Sequence, residues 1–245
     1  MDQLIDGKKI RSRSHAIESI LQSQLAPALT TAVILAGGKM KSKDTFKPLH
    51  QYQGAPIVNH LIELLQKHGV SRIIILTNQL GGELLAHLDQ AYPEIKIEIK
   101  PEKNDLGTAG ALKTLASTLT NSFYCLHSDI FTTIDLQEMV KFHQLNQGVA
   151  TIAVKPKMSH QAFDNVSLQG IQVKAFQPTG KDVDVSLVNS GIYIFEPSIF
   201  NHIPAKQHAM LEKEVFPKLA ESGLLFAFSF QGEWLDVFTE KKLAQ

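Results

Sequence analysis

With one cysteine, Cys125, in 245 residues, an internal disulfide is excluded, and the fold must be held by packing and hydrogen bonds. This usage is compatible with a reducing compartment, and Cys125 itself reads as a small core residue on a strand. Excess charge is missing too. The 24 Lys+Arg balance the 24 Asp+Glu, which argues against a nucleic-acid-binding or anionic-membrane surface and makes any anion site a local one. No continuous apolar run marks a signal peptide or a membrane span, so the expected location is cytoplasmic. Internal repeats and low-complexity tracts are also lacking. What is present, 44% hydrophobic and 20% charged content over this length, suits one domain of the larger sort.

The stretch around which the chain is organised is Ala32-Val-Ile-Leu-Ala-Gly-Gly38, followed by Lys47-Pro48-Leu49. A short apolar run with β-branched residues reads as a buried strand, and the glycine pair lets the backbone turn sharply and present its N–H groups to a ligand. Strands and helices then alternate. Ile57 to His68, Gly82 to Tyr92, Gly107 to Leu119 and Asp135 to Gln147 read as helices; Arg72 to Leu76, Ile95 to Lys100, Ser122 to Leu126 and Val149 to Val154 read as strands. This order implies a Rossmann-like, doubly wound, mainly parallel sheet with helices on both faces and ligands at the carboxyl ends of the strands. Asp129, just after one strand, falls there with the glycine pair.

Beyond residue 160 the pattern turns hairpin-like. Val166 to Leu168, a turn at Gln169-Gly170 and Ile171 to Phe176 suggest an antiparallel pair, and Leu187 to Phe195, Leu224 to Phe230 and Trp234 to Val237 suggest further strands. Helices are expected at Ser198 to Ile203 and Leu211 to Ser222, the second interrupted or bent by Pro217. Residues 1–30 stand apart as a helical extension to a domain at 31–245. Lys8, Lys9, Arg11 and Arg13 open it, and Ile17, Ile20, Leu21 and Leu25 recur at helical spacing. Such a stripe packs on the domain or on a second subunit, giving a route to a homo-oligomer, or serves as a recruiting arm.

Taken together, VILAGG, FKPL with GAPIV, DLGTAGAL, YCLHSDIF, TIAVKP, NSGIYIF, LEKEVFPKL and GEWLDVFT resemble the sugar-1-phosphate nucleotidyltransferases, the nucleotide-sugar pyrophosphorylases, over residues 31 to about 240. Through GTAGAL and LEKEVFPKL the likeness is nearest to the mannose-1-phosphate and heptose-1-phosphate guanylyltransferase-like branch. The resemblance implies a smaller antiparallel sugar-binding lobe and a reaction in which a nucleoside triphosphate is joined to a sugar 1-phosphate with release of pyrophosphate. It places Mg²⁺, the implied cofactor, on Asp129 and Asp236, and phosphate on Lys47. Leu35, Ala36, Gly37, Gly38, Gly107 and Thr108 would hold base and ribose, and Asn189 and Glu212 the sugar. Glu102 reads either as an exposed loop carboxylate or as an acceptor for an exocyclic amino group such as guanine offers, which leans the base toward GTP over UTP.

Departures from the family pattern cluster on the phosphate grips. The loop that ordinarily reads G-x-G-T-R-[LM] is here Gly37-Gly38-Lys39-Met40-Lys41-Ser42-Lys43-Asp44-Thr45-Phe46, basic but without the arginine fork. Lys39, Lys41 and Lys43 are either substitute point charges or a solvated cluster. The lysine of an E-K-P motif is replaced in Phe176-Gln177-Pro178-Thr179, and Lys181 compensates only if its loop folds back. The expected activity is therefore an Mg²⁺-dependent nucleotidyltransferase with Lys47, Lys39 and Asp129 at the chemistry. Its rivals are a catalytically impaired sensor of nucleotide sugars and an inert scaffold.

Overall fold

The computed structural model describes residues 12, 14, 29–37, 46–78, 81–158, 165–177, 185–205 and 208–237. The expected N-terminal helix, the lysine loop with Gly38 and Lys39, and Lys181 lie outside these residues.

Nine strands form one sheet. They are β1 (Thr31–Ala36), β4 (Arg72–Thr77), β5 (Lys96–Pro101), β6 (Phe123–His127), β8 (Ala150–Met158), β9 (Asn165–Gln169), β10 (Gln172–Gln177), β11 (Val185–Phe195) and β12 (Leu225–Ser229), in the order β5-β4-β1-β6-β11-β8-β12-β10-β9. β5, β4, β1 and β6 run parallel, as the alternation of strands and helices implies. β11 then enters antiparallel between β6 and β8, and β10 pairs antiparallel with β12 and β9. The antiparallel strands of the expected smaller lobe thus continue the main sheet, which is mixed.

Alternate residues of the central strands point to opposite faces, and both faces are covered. Val33, Ile74, Phe123 and Phe195 enter one core, with Leu112 of α3 (Gly107–Lys113) and Phe216 and Leu219 of α5 (Phe216–Glu221). Ile34, Ile73, Ile75, Tyr124 and Ile194 enter the other. There they meet Leu61 and Leu65 of α1 (Ile57–Lys67), Leu84 and Leu88 of α2 (Gly81–Ala91) and Met139 of α4 (Leu136–Asn146). Burial on both faces is why these strands read as unbroken apolar runs. Cys125 sits in the first core, and burial pushes its thiol well above the ordinary value. No helix among the described residues is long and apolar enough to cross a membrane.

Several elements differ from the sequence reading, each for a local reason. The helix expected to reach Leu119 ends as an α-helix at Lys113 and runs on through turns. The Thr114 hydroxyl donates to the Ala111 carbonyl (2.7 Å), and i→i−3 bonds such as Leu115 N–H to Leu112 tighten the chain. Residues 211–222 split into a π-turn (Leu211–Val215) and α5, with Pro217, which has no N–H to give, inside the first turn of α5. Pro197–Asn201 is a 3₁₀ turn. A short ladder unforeseen in sequence joins β7 (Ile130–Thr132) to β13 (Trp234–Asp236), and β2 (Gln51–Tyr52) and β3 (Ala55–Pro56) form a small hairpin.

Candidate active site

A cavity of about 310 Å³ opens at the carboxyl ends of β1 and β6. Its floor is backbone. Leu35 lies near the end of β1 and Gly37 just after it, and a Cβ on Gly37 would lie 2.6 Å from Glu102 Oε1, so only glycine lets that carboxylate fold against the strand end. Burial raises the Glu102 carboxyl above its ordinary value, the Leu106 N–H (3.4 Å) opposes this, and Asp105 adds to it. Glu102 is therefore a half-buried acceptor facing the cavity, and not the exposed loop carboxylate that sequence left open. The Ala36 side chain is buried in the core on the other face, which leaves only its backbone for the ligand side, as a backbone-lined surface requires.

The next wall is the start of α3. Gly107 has φ +69°, and a Cβ there would meet the Ala209 carbonyl oxygen at 2.5 Å. That carbonyl accepts from Ala109 N–H (2.9 Å) and Gly110 N–H (3.1 Å), which satisfies the first turn of the helix from a segment 100 residues away in the chain. Thr108 completes the seam: its oxygen accepts from Leu211 N–H (2.9 Å) and its hydroxyl faces Glu212 Oε2 at 3.4 Å.

Opposite lie the charged groups. β6 delivers His127, Ser128 and Asp129, all of which line the cavity. The Lys47 ammonium, at the start of the turn Lys47–Leu49, donates to Asp129 Oδ2. Burial alone would raise the Asp129 carboxyl, but Lys47 and then His127 hold it below its ordinary value, so it is ionised. The β7–β13 ladder pairs Asp236 with Ile130, and Val237 N–H donates to the Asp129 carbonyl (3.0 Å). The backbones that carry Asp129 and Asp236, more than 100 residues apart in sequence, are thereby neighbours. Among the described residues no group of three or more His, Cys, Asp and Glu forms a protein-only metal cage. An ionised Asp129 beside Asp236 suits Mg²⁺ instead, which takes one or two carboxylates and draws its other ligands from phosphate and water.

Beyond Asp129 a polar network runs through Glu212. Asn189 donates to Tyr193 Oη (2.9 Å), and Tyr193 donates toward Glu212 Oε1 (3.4 Å). Burial, with Glu212 adding to it, keeps the Tyr193 phenol well above its ordinary value. The structure thus gathers Leu35, Gly37, Lys47, Glu102, Gly107, Thr108 and Asp129 around one cavity, with Asp236, Asn189 and Glu212 on its borders. His127, Asp105, His208 and Met210 also line it without having been singled out in sequence.

Comparison with known proteins bears on this arrangement. Residues 31–245 match the family model described as Nucleotidyl transferase. The chain is 31% identical over 218 residues to "Mannose-1-phosphate guanylyltransferase catalytic subunit beta" of Xenopus tropicalis, covering 84% of this chain and 60% of that protein. It is 33% identical over 219 residues to the protein of the same name from Danio rerio, with the same coverage. The chain therefore spans about 60% of the length of these curated relatives. Among solved structures, HddC from Yersinia pseudotuberculosis superposes with a TM-score of 0.75 at 24% identity, over 85% of this chain and 94% of that one. The same protein complexed with GMP-PN gives 0.74 at 23%, with the same coverage, a likeness of fold. With a family match that takes in every wall of the cavity, from the end of β1 to Asp236, the chain belongs to the nucleotidyl transferase family.

Proposed function

We propose that the chain joins GTP to a sugar 1-phosphate and releases pyrophosphate. The observation that carries this is the Asp129–Lys47 pair, with Asp236 on the adjoining ladder, between a backbone-lined floor with Glu102 on one side and the Glu212 network on the other. Family membership and relatives named as guanylyltransferases support it.

The floor suits a flat base: glycine at 37 leaves room, and the Glu102 carboxylate accepts from the adjacent ring N–H and exocyclic amino group of guanine, a pair that uracil, with a ring N–H but no amino group, does not present. A phosphate oxygen of the sugar 1-phosphate attacks the α-phosphorus of GTP, and the bond to the β-phosphate breaks as pyrophosphate leaves. Lys47 holds Asp129 ionised and places positive charge where the phosphates meet. Mg²⁺, held by Asp129 and Asp236, supplies charge neutralisation for the phosphates when bound. Glu212, Tyr193 and Asn189 face the sugar side. Gly38, Lys39 and Lys181 belong to the proposal through the resemblance alone.

The test is pyrophosphate release with Mg²⁺, across GTP, UTP, ATP and dTTP and a panel of sugar 1-phosphates led by mannose 1-phosphate. Turnover with GTP and one sugar supports the reading. A folded chain that releases no pyrophosphate with any pair, yet melts higher with a nucleotide sugar, would replace it with the sensing role.

A further inference from the structure

His127 is seated with more care than a structural histidine at a strand end requires. Its ring stands edge-on to Tyr193, with centroids 5.6 Å apart at 77°. Gly191 passes beneath with φ +73°, and a Cβ there would lie 3.1 Å from His127 Cγ and 3.2 Å from Nδ1. Only glycine at 191 combines that backbone with that approach. The ring is thus fixed by its neighbours, and Nε2 is aimed at a defined place. It lies 3.4 Å from Tyr193 Oη and 3.7 Å from Glu212 Oε1, while Tyr193 Oη lies 3.4 Å from the same Glu212 oxygen.

The two Tyr193 contacts are long hydrogen bonds, and the 3.7 Å between His127 Nε2 and Glu212 Oε1 is too great for a direct one, whose ordinary range is about 2.7–3.2 Å. They leave a notch edged by a ring nitrogen, a phenol and a carboxylate, with His127 lining the cavity and its side chain 27% exposed. The Glu212 side chain is only 11% exposed, and its Oε2 has Thr108 at 3.4 Å. A phosphate oxygen does not fit there, because it cannot donate to the carboxylate and would be repelled by it. A hydroxyl fits: it accepts from the ring N–H and donates to Glu212.

We propose that His127 and Glu212 together read one hydroxyl of the acceptor sugar, so that His127 is a specificity-determining residue of the acceptor subsite. This rests on the nucleotidyltransferase reading above. It narrows the acceptor to sugar 1-phosphates with a hydroxyl at one ring position, because a site built to pair a hydroxyl rejects the analogue that leaves its buried groups unpaired.

The experiment compares the wild-type chain with His127→Leu and His127→Gln, the latter carrying an amide N–H toward the Nε2 position. The acceptors are mannose 1-phosphate, or whichever hexose 1-phosphate the wild type turns over fastest, and its monodeoxy analogues, with 2′- and 3′-deoxy-GTP as donor controls. The wild type should disfavour one deoxy sugar by roughly ten- to hundred-fold in kcat/KM. His127→Leu should erase that preference and raise KM for the parent sugar while KM for GTP stays within about two-fold, and His127→Gln should restore part of it. The inference is overturned if discrimination among deoxy sugars survives in His127→Leu, or if the variants change discrimination among the deoxynucleotides instead. Failure of the wild type to turn over any pair would overturn the nucleotidyltransferase reading and this inference with it.

Discussion

Gly107→Ala tests how the nucleotide side of the cavity is locked to the sugar side. The substitution first forces an L-residue to φ +69°, which costs about 1–2 kcal/mol. It also places a Cβ 2.5 Å from the Ala209 carbonyl oxygen and 3.0 Å from its carbon, and these are backbone atoms that cannot swing aside. Segment 209–210 must move away, stretching the hydrogen bonds from Ala109 N–H (2.9 Å) and Gly110 N–H (3.1 Å) to that oxygen, each worth about 1 kcal/mol. The sum is about 3–4 kcal/mol, or roughly 6–16 °C in melting temperature for a domain of this size. Chemical denaturation can be followed through Trp234, the single tryptophan, whose indole is buried and donates to the Ser190 carbonyl (2.8 Å). Gly82→Ala is the control: in α2, a Cβ there meets nothing within 4 Å, and replacing a helical glycine should stabilise by up to about 1 kcal/mol. Equal stability of Gly107→Ala and wild type would refute the reasoning, and so would a loss as large in Gly82→Ala.

Three other outcomes follow from the same geometry. Glu102→Gln removes one acceptor from the base floor and should lower kcat/KM for GTP by roughly ten- to hundred-fold while sparing ATP, measured by pyrophosphate release. Asp135→Ala removes the cap that accepts from Gln137 N–H (2.8 Å) and Glu138 N–H (3.1 Å) at the start of α4, and should cost about 1 kcal/mol in urea denaturation. The hydrogen bond from His143 (3.0 Å) holds Glu196 below its ordinary value against burial, with Ser122 (2.7 Å) assisting. A carboxyl depressed in the folded state contributes stability above its unfolded pKa, about 4.3, and loses it as pH falls through the folded value. Glu196→Gln should therefore be less stable than wild type at neutral pH, and the gap should close in acid; a gap independent of pH would contradict the assignment.

The strands of the core were readable because burial on both faces makes them continuous apolar runs, as in Ala32-Val-Ile-Leu35 and Arg72-Ile-Ile-Ile-Leu76. The helix pattern of α1 and the capping Asp135 were equally local signals. What sequence did not yield depends on partners far away in the chain. β7 is three residues long and exists because β13 lies beside it; the contact of Lys47 with Asp129 closes 82 residues, and that of Thr108 with Glu212 closes 104. The glycines and aspartates of the site carried a recognisable pattern. His127 did not, since its place is defined by Gly191 and Tyr193 on an antiparallel neighbour strand.

The most direct test of the central claim is pyrophosphate release from GTP and a sugar 1-phosphate in the presence of Mg²⁺, comparing the wild-type chain with Asp129→Ala. The account predicts steady turnover by the wild type and its loss by at least about 10³-fold in Asp129→Ala, as for removal of a principal electrostatic group. Trp234 fluorescence should report a fold still formed. Turnover unchanged in Asp129→Ala would contradict the assignment of this aspartate, and with it the proposal that the chemistry takes place where Lys47, Asp129 and Asp236 meet.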